Sequence, residues 1–233
     1  MENLESPSNV ASLYLARGEE VDRLRPIMQG DVFEQVTIPG IEQGLGLAAV
    51  MTHPCTMRGA GGLLRPKLLM ARLVSYAAVP LHRWPFGHYR VFPLPDLRSP
   101  DQKESVAIDF EEVGTVRSAN LVLDRRVAYL TDYGVTVLQQ RLLHHLSRVV
   151  VPRADIYAQA APNFEEADLL HEWLEELVRD PSADEEVLRQ TREFDAYLNA
   201  GGGELRSHLQ DDGKRSTVRK RVRIEIRARA AQL

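Results

Sequence analysis

A chain of 233 residues is long enough for one domain with a real core and a smaller appendage. Its single cysteine excludes an internal disulfide and a cysteine-based zinc site, and no apolar run approaches the ~18 residues that span a bilayer. The net charge of −4 hides a segregation: residues 1–25 carry −2, 26–152 carry +2, 153–213 carry −11 and 214–233 carry +7, so these segments have separate roles or pair with one another.

The N-terminus, MENLESPSNVASLYLARGEE, begins acidic and lacks the basic start and apolar core of a signal peptide, which predicts a cytoplasmic protein. Residues 9–25 read as a short helical arm with apolar Val10, Leu13 and Leu24, broken near Gly18 and ended by Pro26. IMQGDVFEQVTIPG then reads as a strand with a Gly-Asp entry and a Pro-Gly exit, and GLAAVMTH as a short buried strand. LLMARLVSYAAV is a longer strand that includes Arg72 and Ser75, and HYRVFPLP alternates with Tyr89, Val91 and Pro93 on one face. ESVAIDFEEVGTVRSANL reads as two strands around an acidic turn. A helix follows, capped by Thr131 or Asp132, with Val135, Leu138, Leu142 and Leu146 on one face. Short strands, intervening turns and one closing helix predict a mainly β fold with α, a small barrel over residues 26–152.

Past Pro152 the period changes to helical. NFEEADLLHEWLEELVRD is an amphipathic helix with Asn163 as cap and Leu169, Trp173 and Leu177 on one face. SADEEVLRQTREFDAYLNA is a second, ended by Gly201–Gly203, and together they form an acidic extension over 153–213. In the basic segment 214–233, Val218, Val222 and Ile226 fit a helix and Val222, Ile224 and Ile226 fit a strand; the helix aligns Arg215, Arg219, Arg223 and Arg227 in one stripe. That stripe binds nucleic-acid phosphate, docks on the acidic helices, or frays.

The stretch AAVMTHPCTMRGAGG, residues 48–62, gathers a histidine, the cysteine, two threonines and an arginine at the mouth of a strand. Imidazole titrates near neutral pH, so His53 is a candidate acid or base, with Arg58 as a cation. In the opposing reading Pro54 simply terminates a strand and Cys55 is a small hydrophobe. Trp84, Phe86 and Tyr89 next to Arg83 and Arg90 are a candidate base-stacking platform, or a hydrophobic clasp over the barrel.

The segments GDVFEQV (30–36), IEQGLGLAAVMT (41–52), ESVAIDFEEVGTVRSANL (104–121) and YLTDYGVTVLQQRLLHHL resemble, in pattern and order, the PemK/MazF family of toxin endoribonucleases over about residues 28–150. The resemblance implies an SH3-like barrel that cleaves single-stranded RNA without a metal or cofactor. There the RNA's own 2′-hydroxyl attacks the adjacent phosphate, which calls for a base, an acid and a cation. Gly46 and Gly114 stand where that family has arginines. A rearranged site is therefore expected from His53, Arg58, Ser75 and His88 as catalytic residues, with Thr52, Arg72, Arg83, Trp84 and Arg90 as RNA contacts. The resemblance further implies an antitoxin-like or other protein partner and a homodimer, with no membrane association. Antitoxins of this family lay an acidic tail in the RNA groove, so Glu165, Glu166, Glu172 and Glu175 are expected either to shield that groove in cis or to be a solvated face. The alternative is a non-catalytic barrel that binds a protein or nucleic acid.

Overall fold

Residues 14–17, 32–36, 46–50, 67–75, 91–95, 105–117 and 126–130 become strands because β-branched and aromatic residues there supply a buried face. In the computed structural model, which describes residues 3–41, 44–101 and 104–232, they form β1 (Tyr14–Arg17), β2 (Val32–Val36), β3 (Gly46–Val50), β4 (Lys67–Ser75), β5 (Val91–Pro95), β6 (Ser105–Arg117) and β7 (Arg126–Leu130). The strands make one antiparallel sheet in the order β1-β7-β2-β3-β4-β6-β5, curled into a half-barrel. Helices are α1 (Pro54–Met57, a single turn), α2 (Asp132–Ser147), α3 (Arg153–Leu177), α4 (Asp184–Leu209) and α5 (Asp212–Ala230). Helix at 50% outweighs strand at 21%, which corrects the mainly β expectation to a mixed α/β fold. No helix among the described residues is long and apolar enough to cross a membrane.

The chain divides into two compact units. The first holds residues 1–22, 28–57 and 66–160; the second holds 23–27, 58–65 and 161–233. The expected boundaries at 25/26 and 152/153 therefore move, and two short segments of the N-terminal half belong to the helical unit.

In the sheet unit the N-terminal arm is no helix. A 3-10 turn over Val10–Leu13, capped by the Asn9 side chain, leads into β1, which pairs with β7. The acidic turn expected inside 104–121 does not form either. Residues 105–117 are one strand, and its pairing with β4 slips between Ala71 and Leu73, so a bulge absorbs what the pattern suggested was a turn. Helix α2 starts at the Thr131 cap, whose hydroxyl accepts from Gly134 N–H at 3.0 Å, and lies against β5 and β7. Val135 and Leu138 are buried as expected, whereas Leu146 is 72% exposed. Beneath the sheet, Arg126 donates to Asp31 at 2.9 Å with both side chains buried, and Asp31 also accepts from Met28 N–H.

In the helical unit, Leu169, Trp173, Leu177, Phe194, Val218, Val222 and Ile226 share one core. α3 begins at Arg153 and not at Asn163; Pro162 sits inside the helix, where a proline removes one backbone bond without ending the segment. Gly201–Gly203 do leave helical geometry, all with positive φ, before the chain turns helical again to Leu209. The basic segment is the helix α5, with Val218, Val222 and Ile226 inward; Leu233 lies outside the described residues. Arg219 pairs with Glu165 at 2.6 Å, Arg223 with Glu172 at 2.7 Å, Arg229 with Glu193 at 2.7 Å, and Arg206 with Glu166 and Asp195. Acidic residues of 161–213 and basic residues of 214–233 are thus partners within one unit.

Candidate functional site

Thr52 and His53 follow β3, where the sheet runs out of backbone partners. Thr52 Oγ1 continues the ladder by accepting from Leu69 N–H at 2.7 Å. The His53 ring turns onto α1: its Nδ1 accepts the Cys55 backbone N–H at 3.3 Å and lies 2.9 Å from Cys55 Sγ. Thr56 returns its hydroxyl and its N–H to the His53 carbonyl. His53 therefore caps a one-turn helix, and burial holds its pKa below the ordinary imidazole value.

Ser75 is exposed at the far end of β4. Thr52 is bonded to Leu69, and Ser75 lies six residue steps further along the strand from Leu69, about 20 Å of rise. Acid–base groups acting on one phosphate must lie within hydrogen-bond reach of it, so His53 and Ser75 do not form one catalytic set. Arg58 belongs to the helical unit, where its guanidinium donates to the carbonyls of Gly62 at 3.1 Å and Ile27 at 3.0 Å. The glycines after it serve packing: Gly62 has φ 68°, and a Cβ there would lie 3.2 Å from Asp195 Cβ on α4.

His88 sits with positive φ near Tyr76, whose hydroxyl is 2.8 Å from its Nδ1. Burial, then the charges of Arg141 and Arg83, keep this ring below its ordinary pKa. Of the expected stacking platform, Phe86 and Tyr89 are exposed and Trp84 is not. Trp84 is fully buried, edge-on to Phe92, and donates to Val79 C=O. Arg90 is held by Asp109 at 2.7 Å and Glu111 at 3.0 Å; Arg83 is left exposed beside Phe86.

Arg72 is only 2% exposed. It rises from β4 beside β3, donates to Gly44 C=O, and fills the space above Gly46: a Cβ at Gly46 would lie 2.0 Å from its Nη1. At Gly114 a Cβ would lie 2.6 Å from Ile38 Cγ2, so the turn after β2 covers that position. A side chain at Gly46 would have to displace the Arg72 guanidinium, and one at Gly114 would meet Ile38 and the Pro39 carbonyl. Of the glycine-bearing loop in the resemblance, Glu42 and Gln43 lie outside the described residues.

The feature with the character of a site was not apparent from motifs. A cavity of about 430 Å³ in the sheet unit is lined by Gln29, Met51, His53, Gln139, Leu142, Leu143, Val151, Asp155, Ile156 and Gln159. Its polar wall is a relay. Gln29 Nε2 donates to Met51 C=O at 2.9 Å, and Gln139 Nε2 donates to Gln29 Oε1 at 2.7 Å. Both glutamines are buried, at 2% and 5% exposure, and Gln139 Oε1 has no partner. The sequence did hold one signal: Gln139 falls on the Val135, Leu138, Leu142 face of α2, a polar residue inside an apolar stripe. A scan against protein-family models finds no match to this chain, and a search of curated proteins finds none either.

Proposed function

We propose that the chain is a non-catalytic ligand-binding module built on a PemK/MazF-like barrel, and that its ligand enters the cavity beside His53. One observation carries this reading: a cavity of ligand size, with Met51, Leu142, Leu143, Val151 and Ile156 as its apolar wall, opens beside His53. Small-molecule sites typically have roughly 300–1,000 Å³ of largely apolar space with a few placed polar groups. The neutral dye Nile red tests it. Its fluorescence rises on binding to the wild-type chain, and Leu142→Trp, which fills the cavity, abolishes the rise while leaving the circular dichroism unchanged. An equal rise in the folded variant contradicts the reading.

A metal-independent ribonuclease remains the second reading, because Arg72 brings a guanidinium to the position above Gly46 where the resemblance expects a cation. Cleavage of a long single-stranded RNA, lost in both His53→Ala and Arg72→Ala, is its signature. An inert, folded wild-type chain eliminates it.

A further inference from the structure

We propose that residues 77–90, the connection from β4 to β5, are a strap fastened to α2 that opens in mild acid, driven by the charge that His88 and His144 gain beside the buried Arg141. The strap is held at few points. Trp84 is buried edge-on to Phe92, and Ser6 donates its hydroxyl to Leu81 C=O. The main fastening is Arg141 of α2, 1% exposed, which donates to the carbonyls of Trp84, Gly87 and His88. Among the described residues no carboxylate pairs with it. A buried cation without a counterion repels any positive charge added beside it, and low local dielectric strengthens that repulsion. The strap also carries strain: His88 has φ 60°, a left-handed conformation that a non-glycine residue keeps only where its surroundings impose it.

Two rings meet this clamp. His88 lies in the strap, with its carbonyl on Arg141 and its Nδ1 2.8 Å from the hydroxyl of Tyr76, which follows β4; the cations facing it are Arg141 and Arg83. His144 is one turn along α2 from Arg141, and its ring centre is 4.7 Å from that of Tyr89 in the strap. It faces Arg148, Arg141 and His145. Its Nδ1 is buried without a hydrogen-bond partner, so a proton placed there finds no acceptor. His145 behaves differently. Its Nδ1 donates to Tyr89 C=O at 3.0 Å and it faces Asp109 of β6, itself held by Arg90, so charge on His145 does not drive opening. Burial and the neighbouring cations keep His88 and His144 below the ordinary imidazole value. The closed strap therefore binds fewer protons than the open one, and opening is favoured as pH falls through about 6.5. Release bares Trp84 and Phe92, an aromatic surface hidden at neutral pH.

Amide exchange of the full chain, read by mass spectrometry at pH 7.5 and 5.5 with times scaled to the intrinsic rate at each pH, tests the strap. Protection over residues 77–90 is expected to fall at least about tenfold at the lower pH while β4, β6 and α2 keep theirs. In the double variant His88→Gln, His144→Gln the fall is expected to shrink to within about twofold, as follows from removing both protonation sites. Should the double variant not fold, the two single variants decide, each expected to lose part of the fall. Equal protection of 77–90 at the two pH values overturns the proposal. So does a fall spread evenly over β4, β6 and α2, which is loss of the whole sheet unit, and so does a fall undiminished in the variants.

Discussion

The Arg72 guanidinium occupies the space that a side chain on Gly46 would need, with Nη1 2.0 Å from where the Cβ would stand. Arg72 is buried and pairs with Ala48 across β3–β4, and its guanidinium donates to Gly44 C=O, a contact it must give up to make room at Gly46. Gly46→Ala is expected to destabilise by about 1–2 kcal/mol through overpacking. Adding Arg72→Leu should recover part of this, giving a coupling outside additivity. Urea unfolding of the two single variants and the double variant measures it; strictly additive losses contradict the contact.

Arg141 on α2 ties down the segment that carries Trp84 and His88. Its guanidinium donates to the carbonyls of Trp84 at 3.0 Å, Gly87 at 2.9 Å, His88 at 2.9 Å and Val91 at 3.4 Å. Burial brings its pKa down to about 10, so it is still a cation at neutral pH. Arg141→Met keeps the bulk and strands the carbonyls, and is expected to cost about 3 kcal/mol or more. Amide exchange should quicken across residues 81–90. A loss below about 0.5 kcal/mol, the size of an ordinary surface substitution, would show that the clamp does not hold this segment.

Arg223 and Glu172 are half-exposed partners on α5 and α3, so their worth is modest, about 0.2–1 kcal/mol. Reversing one charge, Glu172→Arg, should destabilise the helical unit, and adding Arg223→Glu should restore it. Raising salt to 1 M should shrink the difference, since ~3 Å screening removes most of such a pair. Absence of rescue in the double variant would argue against the pairing.

His53, His88 and His144 all have lowered pKa values, each chiefly through burial. An unfolded histidine takes up its proton near pH 6.5 while the folded ones resist it. The unfolded state therefore binds more protons as pH falls through that value, and stability drops until the lowered folded pKa values are passed. Urea midpoints at pH 7.5 and 5.5 should show this fall for wild type. His53→Asn keeps a side chain able to cap α1 and should show a smaller fall; an identical pH dependence would mean that His53 contributes none of it.

How much could be read in advance depended on how local each signal was. Thr131 as cap, Gly201–Gly203 as a helix break and the Val218, Val222, Ile226 face of α5 each depend on neighbours in sequence, and each is found. β7 has no pattern of its own in the sequence because its five residues, RVAYL, run directly into the Thr131 cap with no turn between. The 13-residue β6 was split because a bulge and a turn look alike in a sequence pattern. The candidate catalytic set scattered for a geometric reason: His53 and Ser75 are at opposite ends of paired strands, and strand order alone cannot be read as distance. Gln29 and Gln139 lie 110 residues apart and become a pair only when α2 packs onto the sheet unit.

The central claim is that the cavity beside His53 is a ligand site. A crystal structure of the full chain soaked in Nile red tests it most directly. The account predicts ring density among Met51, Leu142, Val151 and Ile156. A water-filled or empty cavity at saturating dye would contradict it.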